Sequence, residues 1–198
     1  MMRPLALSEL RLPLEGQLHG ADRDILRVST DSRTLRDGDL FVALRGEHFD
    51  GQQYISQAHS VGATAALVRE IVAGSLPQLQ VADTQRALGL LGAYNRHQYT
   101  GPLVGITGSS GKTTVKNMVH AVLSRRGETL ATEGNFNNEI GVPLTLLRLR
   151  PGVEFAVVEM GAAKSGDIAW LCELACPTVA LLLNAMPAHL EGFGSVEG

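Results

Sequence analysis

The chain has 198 residues, 44% hydrophobic and 19% charged, which excludes a disordered protein and predicts one large or two small folded domains. Its net charge is −3, from 17 basic and 20 acidic residues. The chain therefore lacks the excess of basic residues that is typical of proteins that bind nucleic acid or an anionic membrane. An uncharged and largely apolar segment, residues 174–190, contains two prolines and falls short of the about 20 apolar residues of a membrane-spanning helix. We therefore expect small-molecule or protein partners, no nucleic acid and no membrane span. We also expect a monomer.

The start of the chain and its cysteines indicate the compartment. Arg3, Glu9 and Arg11 interrupt the first residues, so they lack the apolar core of a signal peptide. Cys172 and Cys176 lie on one predicted helix, where we expect both thiols to be buried, and neither they nor the scattered histidines have the spacing of a zinc site. These features favour a reducing cytoplasm over export.

The first half of the chain predicts a compact α/β unit. Short apolar segments predict four strands, near residues 25–28, 40–44, 64–68 and 79–82. Apolar residues recur at helical spacing over residues 54–61, and Gly62 ends that helix. We place the domain edge near Asp83, which gives a first domain of residues 1–83 and a second of residues 84–198.

A glycine-rich loop is the most informative segment of the chain. The sequence TGSSGKTT follows a predicted strand at residues 103–107 and opens an amphipathic helix. Its glycines let backbone N–H groups turn towards an anion, Lys112 adds a positive charge for the outer phosphates, and the Thr113 hydroxyl can bind Mg²⁺. A simple glycine turn is the alternative, but strand, loop, Lys-Thr pair and helix all favour a nucleoside triphosphate site. The predicted phosphate contacts are Gly108, Ser109, Ser110, Gly111, Lys112, Thr113 and Thr114.

Strand and helix alternate through the second half. Further strands are predicted near residues 129–132, 155–160 and 179–183, with helices from Pro143 and over residues 168–174. The helix after the loop carries an apolar stripe of Val115, Met118, Val119, Val122 and Leu123. Continuous apolar strands such as FAVV and VALLL predict a parallel sheet that is buried on both faces. The predicted fold class is therefore α/β, with a small first domain before a P-loop domain built on a mostly parallel sheet.

Polar residues follow each strand of this second domain, and ligands of such sheets bind at the carboxyl ends of the strands. Glu159 closes an apolar strand, as the acidic magnesium ligand of P-loop enzymes does, although a surface glutamate is the alternative. His189 lies on a glycine-bearing loop at the same edge, where a functional role is favoured over a structural one. Both residues are therefore candidates for the site.

Amide and hydroxyl side chains predict a polar substrate. The segment contains three asparagines, Asn135, Asn137 and Asn138, which is more than a turn needs. Their amides suit a substrate rich in hydroxyl, amide or phosphate groups, although asparagine also supplies turns. In the first half, Ser32 and Arg33 follow a strand and suit a diphosphate or a uracil edge. For that segment a capped turn explains the sequence nearly as well.

Several motifs resemble those of the Mur ligases of peptidoglycan synthesis. They are TGSSGKTT, EGNFNNEIGVP, VVEMGA and NAMPAHLEGFGS, with STDSRTLRDGDLFVALRGEHFDG before them, and the resemblance covers nearly the whole chain. It implies ATP-driven amide formation with Mg²⁺, in which the terminal carboxylate of a UDP-N-acetylmuramoyl-tripeptide is phosphorylated. The amine of D-alanyl-D-alanine then attacks the acyl phosphate. The two domains would bind the UDP-substrate and ATP respectively.

The resemblance also implies residue roles. Lys112 would stabilise the γ-phosphate, and the ligands of magnesium would be Thr113, Glu159 and His189, so that Lys112, Glu159 and His189 form the catalytic set. Ser32 and Arg33 would hold the UDP end of the substrate, and the asparagine cluster would hold the substrate beside the metal.

The sequence departs from the Mur ligases at its end and leaves other classes of protein open. It stops at Gly198, before the lysine that is carbamylated in these enzymes and before their C-terminal domain, so we expect an incomplete catalytic site and an inactive chain. A non-catalytic nucleotide-binding or UDP-sugar-binding module is one alternative. A P-loop kinase or GTPase is another, against which stand the non-standard glycine spacing and the absence of an NKxD segment.

Overall fold

The structure is a computed structural model that describes residues 3–74, 76–187 and 190–194. The chain divides into two compact units, Met1–Leu91 and Gly92–Gly198. The division falls inside a helix that begins at Thr84, whereas the sequence places the domain edge just before that helix. Among the described residues, no helix has the length and apolarity needed to cross a membrane.

A five-stranded sheet forms the centre of the first unit. The elements are β1 Leu5–Ala6, β2 Gln17–His19, β3 Asp24–Ile25, β4 Arg27–Ser29, β5 Asp39–Val42, α1 Ile55–Val61, β6 Ala65–Val68 and β7 Gln78–Gln80, followed by α2 Thr84–His97. The strand order is β2-β7-β6-β5-β4, with β4 to β7 parallel and β2 antiparallel to β7, while β1 pairs separately with β3. Ile55 and Ala58 of α1 pack with Phe41 and Ala66 of the sheet. Gly62 ends α1 in a left-handed conformation, as predicted.

The apolar segment predicted as one strand from Ile25 to Val28 is divided between two sheets. Ile25 belongs to β3 and Val28 to β4. Between them, the N–H groups of Leu26 and Arg27 both donate to the carbonyl oxygen of Gly38, at 2.7 and 3.3 Å. Two successive donors on one acceptor make a local bulge, which interrupts the strand.

Four parallel strands form the sheet of the second unit. The elements are β8 Leu103–Thr107, α3 Lys112–Leu123, β9 Thr129–Ala131, α4 Gly141–Leu146, β10 Phe155–Glu159, α5 Asp167–Ala175, β11 Val179–Leu182 and α6 Leu190–Phe193. The strand order is β11-β8-β10-β9, so all four carboxyl ends lie at one edge. The core on β8 and β10 includes Val142 and Leu146 of α4 and Leu171 of α5. The predicted α/β class and the parallel sheet are confirmed.

The buried line of α3 differs from the predicted apolar stripe. Met118 and Val122 are 63% and 68% exposed, whereas Lys116 is only 5% exposed. The Lys116 Nζ donates a hydrogen bond of 2.8 Å to the carbonyl oxygen of Thr132. A buried ammonium group needs such an acceptor, so the helix face that carries Lys116 is turned towards the sheet. Met118 and Val122, which belong to the predicted apolar stripe, are left in solvent.

Two further predictions of burial are wrong. Strand β11 lies at the edge of the described sheet and pairs there with β8, so its apolar side chains lack cover, and Val179 and Leu182 are 48% and 74% exposed. Cys172 is half-buried, but Cys176 is exposed, because it lies after the end of α5 in a left-handed conformation with φ of +40°.

Candidate functional site

The loop between β8 and α3 has the backbone of a phosphate-binding loop. Gly108 and Gly111 have φ values of +140° and +81°, which favour glycine, and Gly111 is the N-cap of α3. The first N–H groups of a helix have no partners within that helix and attract an anion. The Lys112 Nζ donates to the carbonyl oxygen of Gly108 at 2.5 Å. Backbone donors and an ammonium group therefore lie within one short loop.

This loop is bonded to the segment that follows β11. The Ser109 N–H donates to the Asn184 carbonyl oxygen at 3.2 Å, and the Ser110 N–H donates to Asn184 Oδ1 at 3.0 Å. The Ser109 Oγ donates to the Met186 carbonyl oxygen at 3.1 Å and accepts from the Met186 N–H at 2.9 Å. A Cβ atom at Gly108 would lie 3.1 Å from the Asn184 nitrogen, so close approach as well as φ favours glycine there. The polar ends of β8 and β11 therefore meet, as predicted.

Glu159, the last residue of β10, is the buried acidic group of the site. It is 2% exposed, and both carboxylate oxygens accept hydrogen bonds. Oε2 accepts from Thr113 Oγ1 at 2.9 Å and Oε1 accepts from Asn137 Nδ2 at 2.8 Å. The Glu159 N–H donates to Thr132 Oγ1 at 3.0 Å. The structure thus brings together three predicted site residues, Thr113, Asn137 and Glu159, and each oxygen of the buried Glu159 carboxylate has a hydrogen-bond donor.

Two residues that the sequence did not predict support this arrangement. Lys116 holds the carbonyl oxygen of Thr132, and its only signal in the sequence is a second lysine one helical turn after Lys112. The Gly161 N–H donates to the Asn137 carbonyl oxygen at 2.7 Å, and a Cβ atom at Gly161 would lie 3.0 Å from the Asn137 side chain. The glycine of the VVEMGA motif was the available signal for that close approach.

The remaining predicted asparagines are placed differently. Asn138 Oδ1 accepts from the N–H groups of Ile140 and Gly141, at 3.2 and 2.9 Å. Asn138 therefore holds the backbone of the turn that leads into α4, and this helix begins at Gly141 rather than at the predicted Pro143. Asn135 is exposed. Of the cluster, Asn137 alone contacts the buried carboxylate.

The oxygen donors at Glu159 fit a magnesium ion. Mg²⁺ prefers hard oxygen ligands and is usually held by one or two carboxylates together with waters and phosphate oxygens, which suits this carboxylate and the Thr113 hydroxyl. In the part of the chain that the structure describes, no group of three or more His, Cys, Asp or Glu side chains could hold a metal. His189, the third predicted ligand, lies outside the described residues.

In the first unit, Ser32 and Arg33 lie in the turn after β4. Arg33 pairs with Asp31 through two hydrogen bonds, Nε to Oδ1 at 2.9 Å and Nη2 to Oδ2 at 2.8 Å, and its N–H also donates to Oδ1. These bonds from Arg33 lower the pKa of Asp31 to about 2, and the carboxylate raises the pKa of Arg33. The capped-turn interpretation therefore accounts for this pair, while the Arg33 side chain stays 78% exposed.

The second unit has a parallel sheet, a glycine loop that leads from a strand into a helix, and an acidic residue at the end of the adjacent strand. This combination defines the P-loop class of proteins. Two family models match the chain. One, described as the Mur ligase family, catalytic domain, matches residues 24–95, and the other, described as the Mur ligase middle domain, matches residues 106–198. The chain belongs to the Mur ligase family, which confirms the predicted resemblance.

Individual relatives agree with this family. The chain is 51% identical over 197 residues to the UDP-N-acetylmuramoyl-tripeptide–D-alanyl-D-alanine ligase of Escherichia coli K12, a match that covers 100% of this chain and 44% of that protein. A crystal structure of MurF from Acinetobacter baumannii matches with a TM-score of 0.94 at 40% identity, covering 99% of this chain and 44% of the other. MurF of Thermotoga maritima in complex with ADP matches with a TM-score of 0.81 at 40% identity, covering 86% and 40%. The chain spans less than half the length of these relatives.

Proposed function

We propose that the chain supplies the ATP site and the UDP-substrate site of a ligase that joins D-alanyl-D-alanine to a UDP-N-acetylmuramoyl-tripeptide. The terminal carboxylate of the tripeptide takes the γ-phosphoryl group of ATP, which releases ADP and gives an acyl phosphate. The amine of D-alanyl-D-alanine attacks the acyl carbon, and phosphate leaves as the amide bond forms. The names of the relatives and the ADP in the Thermotoga maritima structure support this assignment.

The observation that carries the proposal is the contact between the loop helix and the acidic strand end. Thr113 Oγ1 lies 2.9 Å from Glu159 Oε2, and Lys112 directly precedes Thr113. Phosphoryl transfer depends mainly on alignment and on neutralising the charge of the phosphate oxygens. Lys112 is suited to the γ-phosphate, while Thr113 and Glu159 are suited to hold Mg²⁺, which neutralises phosphate charge when bound. His189 is assigned to the same ion on the strength of its motif.

The substrate contacts are divided between the two units. In the first unit, Arg33 exchanges part of its pairing with Asp31 for a diphosphate oxygen of the UDP group, and Ser32 offers a hydroxyl beside it. In the second unit, Asn137 adjoins the buried carboxylate and is suited to the substrate end that reacts. Asn138 acts indirectly, because its side-chain oxygen accepts from two N–H groups of the turn before α4. We assign the activity to the cytoplasm, which holds the ATP that it consumes.

Ligand-dependent thermal unfolding tests this proposal. The melting temperature of the chain is measured alone and with UDP-N-acetylmuramoyl-tripeptide, UMP, Mg-ATP or Mg-GTP. A ligand at a hundred times its Kd adds about 2.7 kcal/mol, which for a chain of this size raises the melting temperature by about 5 to 10 °C. We expect a larger rise with the UDP-tripeptide than with UMP, and a rise with Mg-ATP that Mg-GTP does not reproduce.

Other outcomes of the same experiment favour the other classes of protein. A rise with Mg-GTP alone would contradict the ligase assignment and favour a GTPase. A rise with the UDP-tripeptide and none with either nucleotide would favour a UDP-sugar-binding module. Asn117→Ala, which changes an exposed side chain of α3, serves as a control that should respond to each ligand as the unchanged chain does.

A further inference from the structure

We propose that Asn184 is a positioning residue for the nucleotide-binding loop, which it orients through Ser110. This inference rests on the proposed function, because it assigns Asn184 a part in binding the phosphates of that nucleotide. Asn184 makes no contact with the reacting atoms in this assignment. It sets the direction in which the loop presents its N–H donors.

The two residues are joined by a pair of hydrogen bonds. Asn184 Oδ1 accepts from the Ser110 N–H at 3.0 Å, and Asn184 Nδ2 donates to the Ser110 carbonyl oxygen at 3.2 Å. One side-chain amide therefore satisfies both backbone groups of a single residue. The Asn184 backbone carbonyl adds a third bond, from the Ser109 N–H at 3.2 Å.

Peptide geometry converts these bonds into an orientation of the loop. The described chain has no cis peptide bonds, and in a trans peptide the C=O and N–H groups point in opposite directions. Holding the Ser110 carbonyl against Asn184 therefore directs the Gly111 N–H away from Asn184. Gly111 is the N-cap of α3, where an N–H donor aimed at an anion contributes to phosphate binding.

Strand pairing explains why residue 184 occupies this position. Leu182 of β11 is opposite Thr107 of β8, and the Leu183 N–H donates to the Thr107 carbonyl oxygen at 3.0 Å. Continued past the strand ends, the same register brings residue 184 beside Gly108 and the two serines. Only a side chain with adjacent acceptor and donor atoms can then satisfy both groups of Ser110, which is the property of an asparagine amide.

Substitutions at Asn184 test this role through ADP binding by the chain. Asn184→Ala removes both side-chain bonds, and we expect ADP affinity to fall about tenfold, the effect of losing two neutral hydrogen bonds. Asn184→Asp keeps the acceptor but places an anionic oxygen against the Ser110 carbonyl, and we expect at least the same loss. The matched controls are Asn117→Ala and Asn117→Asp, which make the same changes at an exposed position of α3 and should alter ADP affinity less than about threefold.

A second measurement separates this role from general loss of structure. The Ser110 amide proton should exchange with solvent at least about tenfold faster in Asn184→Ala than in the unchanged chain, while the melting temperature stays within about 4 °C. The ratio of ADP affinities with and without Mg²⁺ should not change, because Glu159 keeps its partners. Unchanged Ser110 exchange, or ADP affinity equal to that of the Asn117 controls, would overturn the positioning role alone. Absence of ADP binding by the unchanged chain would overturn the proposed function together with it.

Discussion

Thr113 Oγ1 donates a 2.9 Å hydrogen bond to Glu159 Oε2, which joins the first turn of α3 to the last residue of β10. The acceptor is a carboxylate that is 2% exposed, and a hydrogen bond to a charged group contributes about 1.5 to 3 kcal/mol. The contact therefore fixes the loop helix relative to the adjacent strand. It also places a hydroxyl and a carboxylate together, as a divalent cation bound beside phosphates requires.

Removing the charge of Glu159 should weaken the magnesium dependence of nucleotide binding. In Glu159→Gln the amide oxygen can accept one hydrogen bond, and the Thr113 hydroxyl can accept one from the new NH₂ group, so we expect the fold to persist. The variant lacks the anionic oxygen that Mg²⁺ prefers. Calorimetric titration with ADP, with and without Mg²⁺, should show an enhancement by the metal that is at least about tenfold smaller than in the unchanged chain.

The control for this variant is Glu173→Gln, which removes the charge of an exposed glutamate on α5. It should retain the full effect of magnesium. The magnesium role of Glu159 would be contradicted if Glu159→Gln and Glu173→Gln showed the same metal dependence.

Lys112 should be required for nucleotide affinity and dispensable for folding. Its ammonium group donates to the carbonyl oxygen of Gly108 within the loop. Lys112→Ala therefore removes few contacts with the hydrophobic core. Removing one partner of a charged pair with a phosphate costs about 2 to 5 kcal/mol, so ATP affinity should fall at least about thirtyfold. Arg125→Ala, which removes an exposed cation just beyond the other end of α3, should bind ATP normally. Global unfolding of Lys112→Ala, seen in its circular dichroism, would count against a role confined to the ligand.

Lys116 should contribute to the free energy of unfolding through its buried aliphatic stem and its hydrogen bond to Thr132. Lys116→Ala removes both, and we expect a loss of about 2 to 4 kcal/mol in the free energy of unfolding. Lys116→Met keeps most of the stem and removes a buried charge, so its loss should be smaller. Urea unfolding followed by the fluorescence of Trp170, the only tryptophan, reports on this unit, and Asn117→Ala is the exposed control. Equal losses for the Ala and Met variants would show that packing of the stem contributes nothing.

Local sequence predicted the β8–loop–α3 unit. The apolar strand, the glycines, the Lys-Thr pair and the helical spacing that indicate it all lie within a few residues of one another. It also predicted that Glu159 and Asn137 approach the loop, since parallel strands bring their carboxyl ends to one edge. The burial of Lys116 could not be predicted, because its acceptor, the carbonyl oxygen of Thr132, lies outside α3, just after β9. The exposure of Leu182 could not be predicted either, because apolar composition does not reveal which strand lies at the edge of a sheet.

The two cysteines should differ in reactivity. Cys176 is exposed beyond the end of α5, whereas Cys172 is half-buried with its Sγ 3.9 Å from Met160 Sδ, and burial raises the pKa of Cys172. The thiolate is the reactive form, so a raised pKa leaves less of it at a given pH. At pH 8, iodoacetamide should modify Cys176 at least about tenfold faster than Cys172, as measured by mass spectrometry. Single variants Cys172→Ser and Cys176→Ser assign the two rates, and equal rates would contradict the difference in burial.

The pairing of Asp31 with Arg33 should be visible in the acid titration of the first unit. Hydrogen bonds from Arg33 lower the pKa of Asp31 to about 2 in the folded chain, below its ordinary 3.8. Because the folded-state pKa is the lower one, the pairing stabilises the fold above about pH 4, and this contribution is lost as the pH falls towards 2. The carboxyl carbon of Asp31, followed by NMR, should titrate near 2, and in Arg33→Gln its midpoint should rise towards 3.8. Arg36→Gln, which changes another exposed arginine of this segment, should leave the midpoint unchanged. A midpoint that stays near 2 without Arg33 would show that another group holds the carboxylate, and that Arg33 is free to bind a diphosphate at no cost to the turn.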